Sequence, residues 1–160
     1  MVTKIIKIAL ICILLAGGAL SVLFLYSKEA PPIVSEQKPS GPVLIAGGIE
    51  IPISIADSEE ERQNGLSNTA NLEQGTGKFF IFDTPGMYGF WMKDMNYAID
   101  IIWLDATMKI IDVAENVLPE TYPKVFFPSS SALYVLEVNA FDAKRLGFTR
   151  GTVLTLENDF

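Results

Sequence analysis

The strongest chemical signal in the sequence is a run of alternating side chains around Trp91. Successive side chains of a strand point to opposite faces, so Trp91 and Lys93 share one face while Phe90 and Met92 share the other. One face can then pack into a core, while the other presents an aromatic ring and an amine, with Asp94 adding a carboxylate. A Trp beside a cation or carboxylate is a common sugar-stacking or ligand-stacking arrangement, but a buried Trp with a snorkelling Lys is commoner still.

Glu137 is an acid within an otherwise apolar strand, where it shares a face with Leu133 and Val135. An ionised carboxylate on an apolar face needs a partner or a shifted pKa. Lys93 and Arg62 are the natural partners. The pattern is consistent both with a buried ion pair and with a tuned general acid or base.

Asp100 is the second candidate carboxylate. Together with Glu137 it could serve as a general acid and base, or supply oxygen ligands to a hard cation such as Ca²⁺. No motif in the sequence pairs the two residues at a known catalytic spacing. They are therefore catalytic candidates without an assigned role.

Other kinds of catalysis are limited by the residues that the chain lacks. The sequence contains no histidine, and its one cysteine, Cys12, lies in an apolar N-terminal run. Ser-His-Asp and Cys-His arrangements are therefore excluded, and no ligand set for zinc remains. We expect neither a metal site nor a cofactor.

Many short β-prone runs must position these side chains. Their lengths, and the Gly, Pro, Asn and Asp residues between them, predict a compact, mainly β domain rather than alternating βαβ units. The β-sandwich, the jelly roll and a barrel-like fold all fit. A hairpin turn is expected at Asp105, and a short helical turn at 144–147. The runs span residues 43–45, 50–55, 78–82, 89–92, 99–104, 109–117, 133–138 and 152–156.

A short helix is predicted after the second run. Asp57 or Ser58 can cap it, the acidic residues 59–61 favour its positive end, and Gly65 can end it. Arg62 lies in this helix. Its favoured interpretation is a tie between the helix and a strand, with ligand binding as the alternative.

A long connection spans residues 114–131 and contains three prolines around Tyr122. Loops of this length without secondary structure are uncommon and are often functional. Tyr122 is therefore included among the candidate ligand-binding residues.

The N-terminal residues predict a membrane anchor. Residues 8–26 form an uncharged stretch of 19 residues, close to the length of about 20 that crosses a bilayer. The stretch is too long for a typical cleaved signal, so an uncleaved anchor is favoured. Lys4 and Lys7 precede it, which places residues 1–7 in the cytoplasm by the positive-inside rule.

The chain after the anchor is expected outside the cytoplasm. Residues 27–42 contain four prolines among polar residues and predict an extended linker. Residues 43–160 form the folded domain, with 8 Lys or Arg, 17 Asp or Glu and a net charge of −9. An acidic surface of this size repels phosphate backbones, so nucleic-acid binding is not expected.

Six ordered motifs between about residues 45 and 156 resemble the bacterial and archaeal family known as domain of unknown function 192. The resemblance implies a mainly β fold similar to a jelly roll, with a short helix after the second strand, and no established activity. This chain has Asp94 where the family often has Asn, and it lacks a cysteine pair in the loop 119–128. The motifs are ERQNGL at 61–66, GKFFIF at 77–82, FWMK at 90–93, DIIWLD at 100–105, YVLE at 134–137 and residues 147–151.

Three classes of function remain. The favoured hypothesis is a non-enzymatic envelope module that binds a small polar ligand or a glycan. The alternatives are a carboxylate-based envelope hydrolase and a module that docks an envelope protein. The candidate ligand-binding residues are Arg62, Trp91, Lys93, Asp94, Asp100, Tyr122 and Glu137.

Overall fold

The computed structural model describes residues 41–157. The predicted cytoplasmic residues 1–7, the predicted anchor 8–26 and nearly all of the predicted linker 27–42 lie outside this range, so these assignments stay predictions. Between residues 41 and 157, no helix is long and apolar enough to cross a membrane.

Nine strands, two short α-helices and one 3₁₀ turn make up the described residues, which confirms the prediction of a mainly β fold. The strands are β1 Val43–Ala46, β2 Ile49–Ala56, β3 Gly77–Gly86, β4 Phe90–Trp91, β5 Ile99–Leu104, β6 Ile110–Val117, β7 Val125–Phe126, β8 Ala132–Asn139 and β9 Thr155–Glu157. The helices are α1 Glu59–Asn64 and α2 Asp142–Arg145, and the 3₁₀ turn is Pro119–Thr121.

Seven strands form one sheet in the order β6-β5-β8-β3-β2-β1-β9. Neighbouring strands are antiparallel except β2 and β3, which are parallel. The sheet is a curled half-barrel, because the chain before β9 reaches back to the β5–β6 hairpin. The N–H of Ile110 donates to the carbonyl of Thr152 at 2.8 Å, and the N–H of Leu154 donates to the carbonyl of Met108 at 3.0 Å.

Each face of the curled sheet carries an apolar cluster. One cluster includes Phe79, Ile102 and Leu136, and the other includes Phe80, Ile101, Trp103 and Val135. The alternation follows from the two-residue period of a strand. Every residue of β5 is buried, because that central strand is covered on both faces.

The remaining two strands pair outside the main sheet. Phe90 lies opposite Phe126 and Trp91 opposite Val125, which forms the β4–β7 ribbon. The connection 114–131 therefore differs from the expected irregular loop. It contains the end of β6, the 3₁₀ turn and β7. A strand of two residues is too short to show a two-residue period, which is why β7 gave no sequence signal.

Candidate functional site

Helix α1 begins with a capping box at Ser58, one of the two N-cap residues that the sequence offers. The Ser58 hydroxyl accepts a hydrogen bond from the Glu61 N–H at 3.2 Å, and the Glu61 carboxylate accepts one from the Ser58 N–H at 3.1 Å. The hydrogen bond from the Ser58 hydroxyl also lowers the pKa of Glu61. Gly65 ends the helix at a φ of 50°. These contacts fix the helix on the surface.

Arg62 ties this helix to the sheet, as its position in the sequence favoured. Its Nη1 donates to the carbonyl oxygen of Ile81 at 2.8 Å and also to that of Asp57. The guanidinium carbon lies 5.3 Å from the centre of the Phe82 ring. Arg62 therefore holds α1 against β3 and forms part of a wall between them.

A groove opens between α1 and the β4–β7 ribbon. One part, which we call the deep pocket because the buried Glu137 lines it, has a volume of about 270 Å³ and combines aromatic with polar residues. The adjoining part, which we call the polar mouth, has a volume of about 560 Å³. The deep pocket is lined by residues that include Glu59, Arg62, Phe80, Phe82, Tyr88, Phe90, Trp91 and Glu137, and the mouth by residues that include Arg62, Asn68, Trp91, Lys93 and Asp94.

Ring contacts fix the aromatic walls of the deep pocket. The Phe82 and Tyr88 rings stack with centroids 3.5 Å apart, and Phe80 meets Phe90 edge to face at 4.9 Å. The ribbon itself packs closely because residue 89 is glycine. A Cβ atom there would lie 2.5 Å from a ring carbon of Phe127. The walls are thus held by packing before any ligand is present.

Glu137 lies at the base of the deep pocket and is only 5% exposed. Within residues 41–157, its Oε2 has no hydrogen-bond partner and no Lys or Arg forms a salt bridge with it. The expected pairing with Lys93 or Arg62 is therefore not found. Instead, Lys78 lies opposite Glu137 in the pairing of β3 with β8.

Burial determines the charge of Glu137. Loss of water contact raises the pKa of its carboxyl to about 8, and the positive charge of Lys78 offsets this only in part. The environment of Glu137 also affects the pKa of Tyr97. Its hydroxyl contacts that of Thr69 at 2.7 Å, and burial, together with the charge of Glu137, raises the pKa of Tyr97. The base of the pocket is therefore poorly solvated.

The polar mouth contains the residues of the alternating run. Met92 is buried while Trp91 is 49% exposed, as the alternation predicts. The Lys93 Nζ lies 6.0 Å from the Trp91 ring centre, and the Tyr122 ring meets Trp91 edge to face at 5.9 Å. Asp94 lines the same mouth.

Asp100 is not brought together with the other candidates. It lies opposite Val138 in the β5–β8 pairing, while Glu137 lies opposite Ile101. Since paired residues share a face and neighbours alternate, the Asp100 and Glu137 side chains point to opposite faces of the sheet. The two carboxyl groups cannot act on one substrate as a pair.

Asp100 instead organises the backbone. Its Oδ1 accepts a hydrogen bond from the Asn116 N–H at 2.7 Å, and its Oδ2 accepts one from the Ala143 N–H at 2.9 Å. Asn116 has a φ of 48°, and Ala143 lies in the first turn of α2. Asp100 thus holds the irregular end of β6 and the start of α2.

Several lining residues were not among the sequence candidates. They are Glu59, Phe80, Phe82, Tyr88 and Phe90 in the deep pocket, with Gln63, Asn64 and Ser67 shared by the pocket and the mouth. A signal for two of them was present. Lys78, Phe80 and Phe82 alternate along β3, so they share the face that Glu137 joins. No comparable signal marks Gln63 and Asn64 of α1 or Ser67 after it.

The side chains that line the groove can form hydrogen bonds, stacking contacts and charge interactions with a ligand. Within the described part of the chain, no group of three acidic, His or Cys residues could hold a metal ion. Arg62 and Trp91 line both parts of the groove, Lys93 lines the mouth, and the buried Glu137 lines the deep pocket.

The model of the DUF192 family, described as an uncharacterized ACR, matches residues 43–156. This chain belongs to the DUF192 family. The resemblance seen in its sequence motifs is thereby confirmed. No curated protein matches this DUF192 chain.

Two solved structures are similar to this DUF192 chain. One, described as a suggested transcription regulator from Sinorhizobium meliloti, is 24% identical with a TM-score of 0.66, and the alignment covers 72% of this chain and 91% of that protein. The other is a protein of unknown function from Novosphingobium aromaticivorans. It is 25% identical with a TM-score of 0.66, over 79% of this chain and 91% of that one.

Proposed function

We propose that this DUF192 domain is a non-enzymatic accessory module of the cell envelope that binds a small polar ligand, such as part of a glycan, in the groove. The observation that carries the proposal is the Glu137 carboxyl, which lies unpartnered at the base of a preformed aromatic pocket. Native proteins pair nearly all buried polar groups, so an unpaired one at a pocket floor indicates a missing partner.

The groove has the chemistry that a sugar requires. Aromatic rings such as Trp91 and Phe90 can stack on the apolar face of a pyranose, while polar groups at the mouth reach its hydroxyls. A concave site that combines aromatic walls with polar groups is also typical of small-molecule binding. The candidates Arg62, Lys93 and Asp94 lie where the exposed end of such a ligand would be.

Ligand binding can be tested by thermal shift of the full-length chain with envelope sugars and peptidoglycan fragments. We expect at least one of them to raise the melting temperature of wild type and to have little effect on Trp91→Ala. Phe141→Ala is the matched control, because Phe141 is exposed outside the groove. An equal shift in wild type and Trp91→Ala, or no shift with any sugar, contradicts the proposal.

A carboxylate-based envelope hydrolase is the second candidate. The raised pKa of Glu137 suits a general acid at neutral pH, and Glu59 is the second carboxylate that lines the pocket. In that case Glu137→Gln would abolish hydrolysis of peptidoglycan fragments but not their binding. Binding without turnover by wild type favours the accessory module.

Docking of an envelope protein is the third candidate. Large exposed apolar side chains are concentrated on and around the β4–β7 ribbon: Met87, Trp91, Leu118, Tyr122, Val125 and Phe127. Exposed apolar surface of this kind can mark a protein interface. Capture of one protein partner that Phe127→Ala abolishes, without any sugar binding, would favour this function.

The location that fits this function is the outer side of a membrane. Residues 8–26 would anchor the chain and residues 27–42 would tether the domain outside the cytoplasm. The test is protease treatment of intact cells that carry a C-terminally tagged chain. Loss of the tag supports the proposed orientation, and full protection contradicts it.

A further inference from the structure

Resting on the proposed binding site, we propose that Glu137 faces the groove as an uncharged carboxyl group that donates a hydrogen bond to a ligand oxygen. The groove would then select uncharged, hydroxyl-bearing ligands over amines and acids.

Two buried acids of this chain differ in their hydrogen-bond partners. Asp100 is 0% exposed, and each of its oxygens accepts a backbone N–H. Glu137 is buried almost as deeply, yet within residues 41–157 its Oε2 has no hydrogen-bond partner. The fold supplies donors for a carboxylate at Asp100 and supplies none at Glu137. Without donors, the uncharged form of a buried carboxyl is the stable one.

Charged and titratable groups face Glu137 from several neighbouring elements. Lys78 on β3 is the cation directly across the strand pair, and Tyr97 precedes β5. Arg62 and Glu59 line the pocket from α1, and Tyr88 lines it from the segment before the ribbon. Lys78 offsets the effect of burial only in part, so the pKa of Glu137 stays at about 8.

The donor and acceptor of an uncharged Glu137 carboxyl group are complementary to those of a ligand hydroxyl. An uncharged carboxyl offers one donor and retains acceptor capacity, and a hydroxyl offers the complementary pair. Pairing satisfies the Oε2 of Glu137 without moving a charge out of water. The aromatic walls take the apolar face of the same ligand.

The surrounding charges disfavour ionic ligands. An ammonium group would pair best with an ionised carboxylate, which burial disfavours at Glu137, and it would meet the Arg62 guanidinium that lines the same pocket. An anion would meet Glu59 in the pocket and Asp94 at the mouth, beside the cations Arg62 and Lys93, on a domain with a net charge of −9. Repulsion from like charges applies in both cases.

The test compares three sugars by isothermal titration on the full-length chain, in a detergent without a sugar head group. The probes are N-acetylglucosamine, which is uncharged, glucosamine, which carries an ammonium group, and glucuronic acid, which carries a carboxylate. We expect N-acetylglucosamine to bind most tightly at pH 6. Its affinity should fall about tenfold between pH 6 and pH 9, because the pKa of Glu137 of about 8 leaves roughly a tenth of the groups protonated at pH 9.

Two variants test whether Glu137 causes the pH dependence of the binding affinity. Glu137→Gln cannot titrate, so its affinities at pH 6 and pH 9 should be equal. Glu115→Gln changes an exposed acid on β6 outside the groove, and it should keep the tenfold fall. Equal wild-type affinities at the two pH values, or tighter binding of glucosamine than of N-acetylglucosamine, would overturn the inference.

A titration of Glu137 by ¹³C carboxyl NMR needs neither a ligand nor a folded variant. A midpoint near 8 supports the inference, whereas a midpoint near 4.5 with intact sugar binding overturns it and leaves the proposed function standing. If none of the three sugars binds at pH 6, the proposed glycan binding fails and the ligand selection fails with it.

Discussion

Glu137 makes the stability of the domain depend on pH at the scale of a single residue. Its pKa rises from an ordinary value of 4.5 to about 8 on folding, because burial penalises the charged form. The folded state therefore holds this proton more tightly than the unfolded state. The resulting stabilisation is complete below about pH 4.5, declines as the pH rises towards 8 and does not change further above it.

Glu137→Gln should remove this dependence, since an amide does not titrate. Relative to wild type, the free energy of unfolding of the variant should increase by about 3 kcal/mol between pH 4.5 and pH 7, at roughly 1.4 kcal/mol per pKa unit. Urea unfolding at the two pH values measures this difference. Glu115→Gln is the control and should show no such change. A constant difference between Glu137→Gln and wild type would contradict the buried, uncharged carboxyl.

At the scale of elements, the groove depends on two small units that pack on the sheet. Helix α1 has only six residues, and none of them is buried, so its ends must supply much of its stability. The β4–β7 ribbon pairs only two residues on each strand, and Gly89 before β4 leaves room for the side chains of Val125 and Phe127. Both walls of the site are thus formed by elements that could not persist alone.

Ser58→Ala should therefore weaken the site as well as the fold. It removes the capping hydroxyl from the Glu61 N–H and should lower the free energy of unfolding by about 1 kcal/mol. Faster amide hydrogen exchange across residues 59–64 should accompany the loss, because the helix opens more often. Ser130→Ala, at an exposed serine after β7, should change neither quantity. Unchanged exchange in Ser58→Ala would show that Arg62 and packing alone hold α1.

At the scale of the whole molecule, the curl of the sheet is fixed by the last residues described. Residues 151–154 bond to the β5–β6 hairpin, and β9 continues into pairing with β1. Leu154 is 2% exposed and belongs to the core cluster that contains Phe79 and Leu136. The C-terminal segment thus joins two ends of the sheet that are distant in strand order.

Leu154→Ala should lower the free energy of unfolding by about 2–5 kcal/mol, as expected for a truncated core leucine. Val153→Ala is the matched control, since Val153 is its immediate neighbour and is 56% exposed. The control should change stability by no more than about 0.5 kcal/mol. Denaturant unfolding measures both. Similar effects from the two variants would mean that the closing segment contributes little to the core.

The sequence determined the local features of this protein. The cap at Ser58, the turn at Asp105 and the alternation of Trp91 with Met92 were predicted and are found, because each depends on residues within one turn or one strand. The mainly β class and the DUF192 family follow from the same local patterns and their order. These features need no contact between distant parts of the chain.

Only the tertiary structure decided which side chains of the candidate site lie together. Strand register sets Asp100 and Glu137 on opposite faces, and it puts Lys78, not Lys93 or Arg62, across from Glu137. The two-residue strand β7 exists only because β4 pairs with it. The charge of Glu137 likewise depends on burial by residues far away in sequence. Register and desolvation arise from contacts between distant segments, which no local pattern of residue types records.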